Sequence, residues 1–520
     1  MAATQIKLAQ APFNIPSADA VLRTSDNVDF YVHKVILSIA SPFFNDLFSL
    51  IQPSINSDAK VIEEPIIISE DSQTLDSLLR LCYPVDDPVI TDISLLGCVL
   101  EAAIKYQMGE AEKLVKVSMQ PFVVTHPLQI YAIACRLKVE ELAKVAAQSW
   151  KSQRGSVLNT ANFSSTTGGA SYVPEMAHIT CGAYSRLIRY IRSSLPLANF
   201  SPFSQPETNS HGGTHEVIDD PVPSIRPELP LQDADLVIRT PDGTNFLAHK
   251  LILNLSSADS ILESLHDPPE FVDGLPVVHV DIEGQVLNEI LHLLYPLNHT
   301  EYEDMSMIWA ILVAARRYKL SGVLGAMRRR LLNLASSRPL PVYFLSAEFG
   351  WTDVAQAAAK YSIGPDLELE YTSEMEYGSA EAYYRLLKFN HACRSSIEKI
   401  VAQHTPDTYL GQWKTTGWAS LMGPKHLLTT LLSPIVENEL TIARSALKCP
   451  NPSIHGRYYD DECYDTIPPD YTISIEEIVK KSESLETEIK NELHKHMIRD
   501  TSDVPWLGEA SDLMKSDVLD

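Results

Sequence analysis

Two stretches of this sequence bring residue types together that could do covalent or metal chemistry. His178 precedes Cys181 by about one helical turn, a spacing at which an imidazole could take a thiol proton and leave a nucleophile. Cys449, His455 and Cys463 gather possible zinc ligands in one short segment, but their spacing matches no usual finger and no fourth ligand is evident. His211-Gly212-Gly213 has the form of an oxyanion loop, yet it lies among prolines with no nucleophile to serve. The chain has no Gly-x-Ser-x-Gly elbow, phosphate loop, dinucleotide fingerprint or His-Glu-x-x-His helix. The reading is of a non-enzymatic protein with no cofactor and no metal, in which Cys181 is a buried helix cysteine.

A different constellation carries more weight because it occurs twice. Asp19, His33 and Lys34 return as Asp235, His249 and Lys250, all three displaced by the same offset. A carboxylate and a cation kept together near a core must be paired or hydrogen-bonded, since stripping them of water is otherwise costly. The bland account is a polar brace between the first strand and the first helix.

The elements that position these residues follow from periodicity. Ala18–Ala40 alternates through Val21, Arg23, Phe30 and Val32, turns at Ser25-Asp26-Asn27, and then carries Val35, Ile36, Ile39 and Ala40 at helical spacing. Ala234–Leu255 repeats this strand, turn, strand and helix, with Pro241-Asp242-Gly243 as its turn. From Leu75 the copies run in step at a slightly shorter offset, so Tyr83-Pro84, Tyr106, Pro127 and Tyr131 meet Tyr295-Pro296, Tyr318, Pro339 and Tyr343. The change of offset falls in the loop after the first helix, where length differences are tolerated. Helices are expected over Ser72–Cys82, Leu95–Val117, Pro127–Trp150, Met307–Leu334 and Pro339–Tyr361, with a short buried strand at Ile66-Ile67-Ile68. Glu175-Met176 and Tyr184–Ile188 reappear as Glu374-Met375 and Tyr383–Leu387, the offset shortened again by a Ser/Thr/Gly-rich insertion in the first copy. In the second copy Cys181 becomes Ala380.

The pattern Asp-x-Val-x-Arg-Thr-x-Asp from Asp19, Phe30-x-x-His33-Lys34-x-Ile36-Leu37, then Ser41-Pro42-Phe43-Phe44 and Leu81-Cys82-Tyr83-Pro84, resembles the BTB/POZ domain. The Leu-Cys-Tyr-Pro form is similar to BTB proteins of fungi. The resemblance covers roughly Ser17–Trp150 and Asp233–Ile363. It implies an α+β fold of two BTB/POZ-like units, each a short β-hairpin and sheet with a helical bundle, followed by additional helices. It also implies a charged pocket or peptide groove lined by Asp19 and Lys34, and by Asp235 and Lys250 in the second copy. The partner-facing set is then Asp19, His33, Lys34, Phe43 and Phe44, with Asp235, His249 and Lys250. Cullin-binding relatives carry an apolar-x-Glu motif where the first copy has Leu50-Ile51-Gln52, and the aromatic pair Phe43-Phe44 falls on Asp259-Ser260 in the second.

Composition agrees with an ordinary globular chain. Of 520 residues 45% are hydrophobic and 21% charged, and the net charge of −25 is the opposite of a nucleic-acid or anionic-membrane footprint. The basic runs Arg316-Arg317 and Arg328–Arg330 read as solvated helix faces. Seven scattered cysteines form no disulfide framework, and no apolar run reaches the length of a membrane span, so an intracellular protein, cytoplasmic or nuclear, is expected. The expected organisation is a flexible leader (1–16), the first unit with its helical extension (17–150), then a Ser/Gly insertion, an amphipathic helix over 174–195 and a proline-rich linker (151–230). The second unit with its extension (231–363), a C-terminal helical region (364–448), and a loop with a charged helical tail (449–520) complete it.

The function expected is protein–protein interaction: pairing of the two units within one chain or dimerisation with a second chain, as scaffold or adaptor. A cullin-type ubiquitin-ligase adaptor, a transcriptional co-regulator and a Cys181-dependent hydrolase are the alternatives.

Overall fold

The computed structural model describes residues 6–15, 17–50, 64–155, 172–204, 233–255, 261, 270–295, 304–363, 367–368, 370–404 and 491. The candidate ligands Cys449, His455 and Cys463, the His211-Gly212-Gly213 stretch, Ile51-Gln52, Asp259-Ser260 and the expected C-terminal tail lie outside the described residues. The chain divides into two units, one of residues 1–179 with 186–204, the other of 180–185 with 205–520.

In the first unit the expected hairpin forms. Strands β2 (Ala20–Arg23) and β3 (Val28–Val32) pair antiparallel with Ala20 opposite Val32 and Arg23 opposite Asp29. The last pair is a cross-strand ion pair, its guanidinium donating twice to the carboxylate at 2.7 and 2.9 Å. At the turn Asn27 takes φ 60°, a left-handed conformation that asparagine accepts readily. Asp26 accepts from the Thr24 hydroxyl at 2.6 Å, and from the Ser72 amide and hydroxyl at 2.9 and 2.6 Å. The turn is thereby tied to the helix Ser72–Arg80. Strand β4 (Ile66–Ile67) joins β2 in parallel, but it is not the buried strand expected: Ile66 is half-buried, Ile67 is exposed, and only Ile68 beyond the strand is buried.

The leader departs from expectation. Lys7–Leu8 forms β1, parallel to β3, which gives the sheet the order β1-β3-β2-β4. Phe13 is fully buried, its ring 5.2 Å from that of Tyr83 in a T-shaped contact. An outer strand edge offers unpaired backbone groups, and a short segment ending in one large apolar side chain covers them.

The second unit repeats this plan. Strands β5 (Leu236–Arg239) and β6 (Asn245–Ala248) pair with Leu236 opposite Ala248, the register of the first hairpin carried to the equivalent positions. Strand β8 (Leu275–His279) lies parallel to β5 and places Val278 opposite Ile238, as Ile66 lies opposite Leu22. A further strand, β7 (Phe271–Val272), pairs with β8, so the order is β6-β5-β8-β7.

The long helices of the sequence reading are each broken in two. Ile93–Lys105 and Gly109–Thr125 replace the single expected helix, and Pro127–Arg136 is followed by Glu140–Gly155. In the second unit the pairs are Met305–Arg317 with Ser321–Leu334, and Pro339–Glu348 with Thr352–Tyr361. Every break holds one left-handed residue: Gln107 and Lys319 at φ 53° and 55°, Lys138 and Gly350 at 56° and 68°. Gln107 and Lys319 are equivalent positions, as are Lys138 and Gly350. Asp92 and Asp304 cap the equivalent helices Ile93–Lys105 and Met305–Arg317 through the amides of Ser94 and Ser306, at 2.9 and 3.0 Å. The amphipathic stretch after residue 174 is likewise a 3-10 turn (Pro174–His178) and then a helix (Cys181–Arg192).

The core of the first unit gathers Leu22, Phe30 and Val32 from the sheet against Leu37, Leu78 and Leu100 from the helices. In the second unit Ile238, Phe246, Leu253, Ile290 and Leu312 do the same.

Lys138 bears the strain that its counterpart avoids by being glycine, roughly 1 kcal/mol for a non-glycine residue in this region. Exchanging the two solutions should therefore shift stability in opposite directions. Lys138→Gly is expected to raise the urea midpoint of the first unit's transition. Gly350→Lys should lower that of the second by a similar amount.

Candidate functional site

The Asp19, His33 and Lys34 constellation sits where β3 hands over to the first helix, Lys34–Ala40. That helix start leaves backbone N–H groups without intrahelical partners. His33 occupies the cap position but its side chain does not cap. Asp19 does so from the bend just before β2, its Oδ1 accepting from the Lys34 amide at 2.7 Å. The His33 amide donates to the Tyr83 hydroxyl at 2.8 Å, and the His33 ring lies 3.1 Å from Ser17 Oγ through Nε2. The polar brace between the first strand and the first helix is thus made through the Lys34 backbone amide. The Lys34 ammonium stands 5.8 Å from the centre of the Phe48 ring.

The second unit reproduces the arrangement. Asp235 accepts from the Lys250 amide at 2.8 Å, and the His249 amide donates to the Tyr295 hydroxyl at 3.0 Å. Burial raises the phenol pKa of both tyrosines, although the amide hydrogen bond acts in the opposite sense. Neutral phenols at these positions keep accepting the amide proton. The histidine-lysine motif and the tyrosine Tyr83 or Tyr295, far apart in sequence, therefore meet at one point in each unit.

Beyond this node the first helix turns an apolar face outward. Val35 and Ile39 are 62% and 83% exposed, and their equivalents Leu251 and Leu255 on the helix Lys250–Leu255 are 66% and 75% exposed. Positions i and i+4 share one helix face. Phe43 sits at the surface, whereas Phe44 is buried against Tyr106, ring centres 5.1 Å apart. Phe44 is a core residue, not part of a surface a partner can touch. It is held there by Ser41, whose hydroxyl caps the helix Pro42–Leu50 by accepting from the Phe44 amide at 3.0 Å and donates to the Tyr106 carbonyl. Pro42 opens that helix, where a missing N–H costs little.

A second polar node locks the sheet to the helix Ile93–Lys105. Glu70 accepts from Lys105 Nζ at 2.8 Å and from the Tyr106 hydroxyl. Burial alone would push the Glu70 carboxyl up, but the bonds from Lys105 and Tyr106 outweigh it and hold it below the usual value. In the second unit the equivalent of Glu70 is Ile282, and the Tyr318 hydroxyl instead accepts from the Asp281 amide at 2.8 Å.

The chemical candidates fare differently. Cys181 is fully buried and its thiol donates to the Ser379 carbonyl at 2.8 Å. Burial pushes that thiol well above its ordinary pKa, while His178 is exposed. A buried thiol held protonated is a poor nucleophile. Among the described residues no cluster of histidine, cysteine and carboxylate could hold a metal ion, and no helix is long and apolar enough to cross a membrane. In the basic runs Arg316 faces Glu348 at 3.3 Å, Arg317 faces Asp281 at 2.6 Å and Arg328 faces Asp353 at 2.8 Å. These arginines are engaged with carboxylates of their own unit.

Sequence reasoning missed one feature of the second unit. Trp309 stacks on Tyr377 at 4.2 Å and 9° between planes, with Phe349 edge-on to Trp309 and Arg316 over the Phe349 ring. The signal was available in the alignment of the copies: Trp309 and Phe349 stand where the first has Gly97 and Leu137.

Residues 15–121 match the family model of the BTB/POZ domain, a protein–protein interaction module. No curated protein matches the chain.

Two substitutions probe these nodes. Asp19→Ala should cost about 1 kcal/mol, as for a lost helix cap, and Asp19→Asn distinctly less; urea unfolding followed by circular dichroism reads both. Glu70 has a depressed folded-state pKa, so its contribution is present above the unfolded value and lost as pH falls through the folded one. The urea midpoint of Glu70→Gln should lie below wild type at pH 7, and the gap should close below about pH 5. A gap that stays constant down to pH 3 would contradict the assignment.

Proposed function

We propose that this chain is a non-enzymatic protein-interaction scaffold built from two BTB/POZ-type units, and that it associates with other protein chains through the outward faces of the first helix of each unit. The observation that carries this reading is the pair Val35 and Ile39, matched by Leu251 and Leu255. Leaving the same two helical positions large, apolar and exposed in both copies costs solubility unless a partner covers them. The second unit is assigned to the same type on its shared register, its capped helix start and its histidine–tyrosine contact. The free state of the five described cysteines supports an intracellular setting.

The simplest partner is a second copy of this chain, because a self-complementary apolar face closes a two-fold dimer. Light scattering on the full chain is expected to give the mass of a dimer at micromolar concentration. Val35→Asp and Ile39→Asp combined with Leu251→Asp and Leu255→Asp should return it to monomer without changing the circular dichroism spectrum. A wild-type chain that is monomeric throughout, or a fourfold variant that still dimerises, would remove these surfaces from the interaction.

A further inference from the structure

The second unit includes a short piece of the first repeat, residues 180–185. Within it Thr180 forms an antiparallel β-bridge with Ser379, and the Cys181 amide donates to the Gly378 carbonyl at 2.8 Å. The Tyr184 ring meets the Tyr383 ring edge-on, centres 6.0 Å apart at 78°. Each of these ring and bridge partners is the other's counterpart in the duplicated sequence. Thr180 caps the helix Cys181–Arg192 by accepting from the Ala183 amide at 3.1 Å, and Ser379 caps the helix Ala380–His404 by accepting from the Ala382 amide at 3.4 Å. Two helix starts with the same cap position therefore face one another. A contact in which a residue meets its own equivalent is the product of a two-fold, self-complementary interface.

We propose that Thr180–Tyr184 and Ser379–Tyr383 are the two halves of one self-complementary docking contact, and that the surface at Ser379–Tyr383 takes the equivalent segment of the same chain as its partner. Cys181, Tyr184 and Tyr383 are fully buried in it, as an established interface requires. Its specificity comes from Gly182. A Cβ there would lie 1.9 Å from Oε1 of Glu376, so any other residue would push that carboxylate away from the start of the helix, where negative charge is favoured. Glu376 is fixed by Tyr371, whose hydroxyl donates at 2.7 Å, and lies 3.3 Å from the Thr180 hydroxyl. The inference does not depend on the second unit being of BTB/POZ type, and its test leaves the exposed first-helix faces untouched.

The geometry supplies its own probe. A Cβ built on Gly378 lies 3.1 Å from the Cys181 sulfur, within the reach of one disulfide. The full chain carrying Gly378→Cys, unfolded in urea, refolded in a glutathione redox buffer so that the thiols are accessible while the link forms, and mapped by peptide mass spectrometry, should join the Cys181 sulfur to the introduced thiol at monomer mass. The link should vanish when Cys181→Ser is added. Absence of the link overturns the contact, and a covalent dimer through these two positions overturns its assignment to one chain. Adding Gly182→Val should slow linking about tenfold, the cost of overpacking one site. Further change of Glu376→Ala should restore the rate. Failure of either response, with secondary structure intact, would show that Gly182 does not gate the docking.

Discussion

The start of the first helix is the constraint from which each unit's layout follows. The amide groups at a helix start need partners, and here they are found elsewhere in the chain: a carboxylate just before β2 for Lys34 and a distant phenol for His33. That requirement places the strand, the helix and the Tyr83 corner against one another before any core packing is considered. The same solution at Asp235, His249 and Tyr295 explains why these positions coincide while the intervening side chains drift. Hydrogen-bond geometry tolerates little change, whereas an apolar neighbour can be exchanged at similar volume.

The duplicated halves differ where one device has been replaced by another of equal effect. Ser72 donates to the turn aspartate in the first unit, while its counterpart Gly284 brings no side chain and lets Asp242 approach the helix start directly. Glu70 bridges Lys105 and Tyr106, while Tyr318 is satisfied by a backbone amide. The Trp309 stack fills a region where the first unit has a small residue.

Much of this was legible in the sequence. Alternation with a turn gave the hairpins, and constant offsets picked out the positions that have the same hydrogen bonds in both units. The helix breaks were not legible, because a left-handed glutamine or lysine leaves no compositional mark; only Gly350 hinted at one. The β1 strand was missed because so short a segment holds no periodicity, and its anchor, Phe13, is a single apolar side chain. Asp19 and Lys34 were recognised as belonging together, but sequence does not show that the backbone amide of Lys34 is one of the groups the carboxylate binds. The burial of Phe44 against the exposure of Phe43 is a matter of helix phase, which the Ser41 cap sets.

A symmetric dimer of identical chains cannot alter one side of its interface without altering the other. Two segments of one polypeptide that meet each other are under no such bond. Glu376 stands over Gly182, yet at the mirrored positions the chain carries Ala177 and Glu381. The Cys181 thiol likewise faces a carbonyl, while its mirror image is the methyl group of Ala380. Each side of the contact therefore carries a group that the other lacks, an asymmetry that two identical chains could not hold.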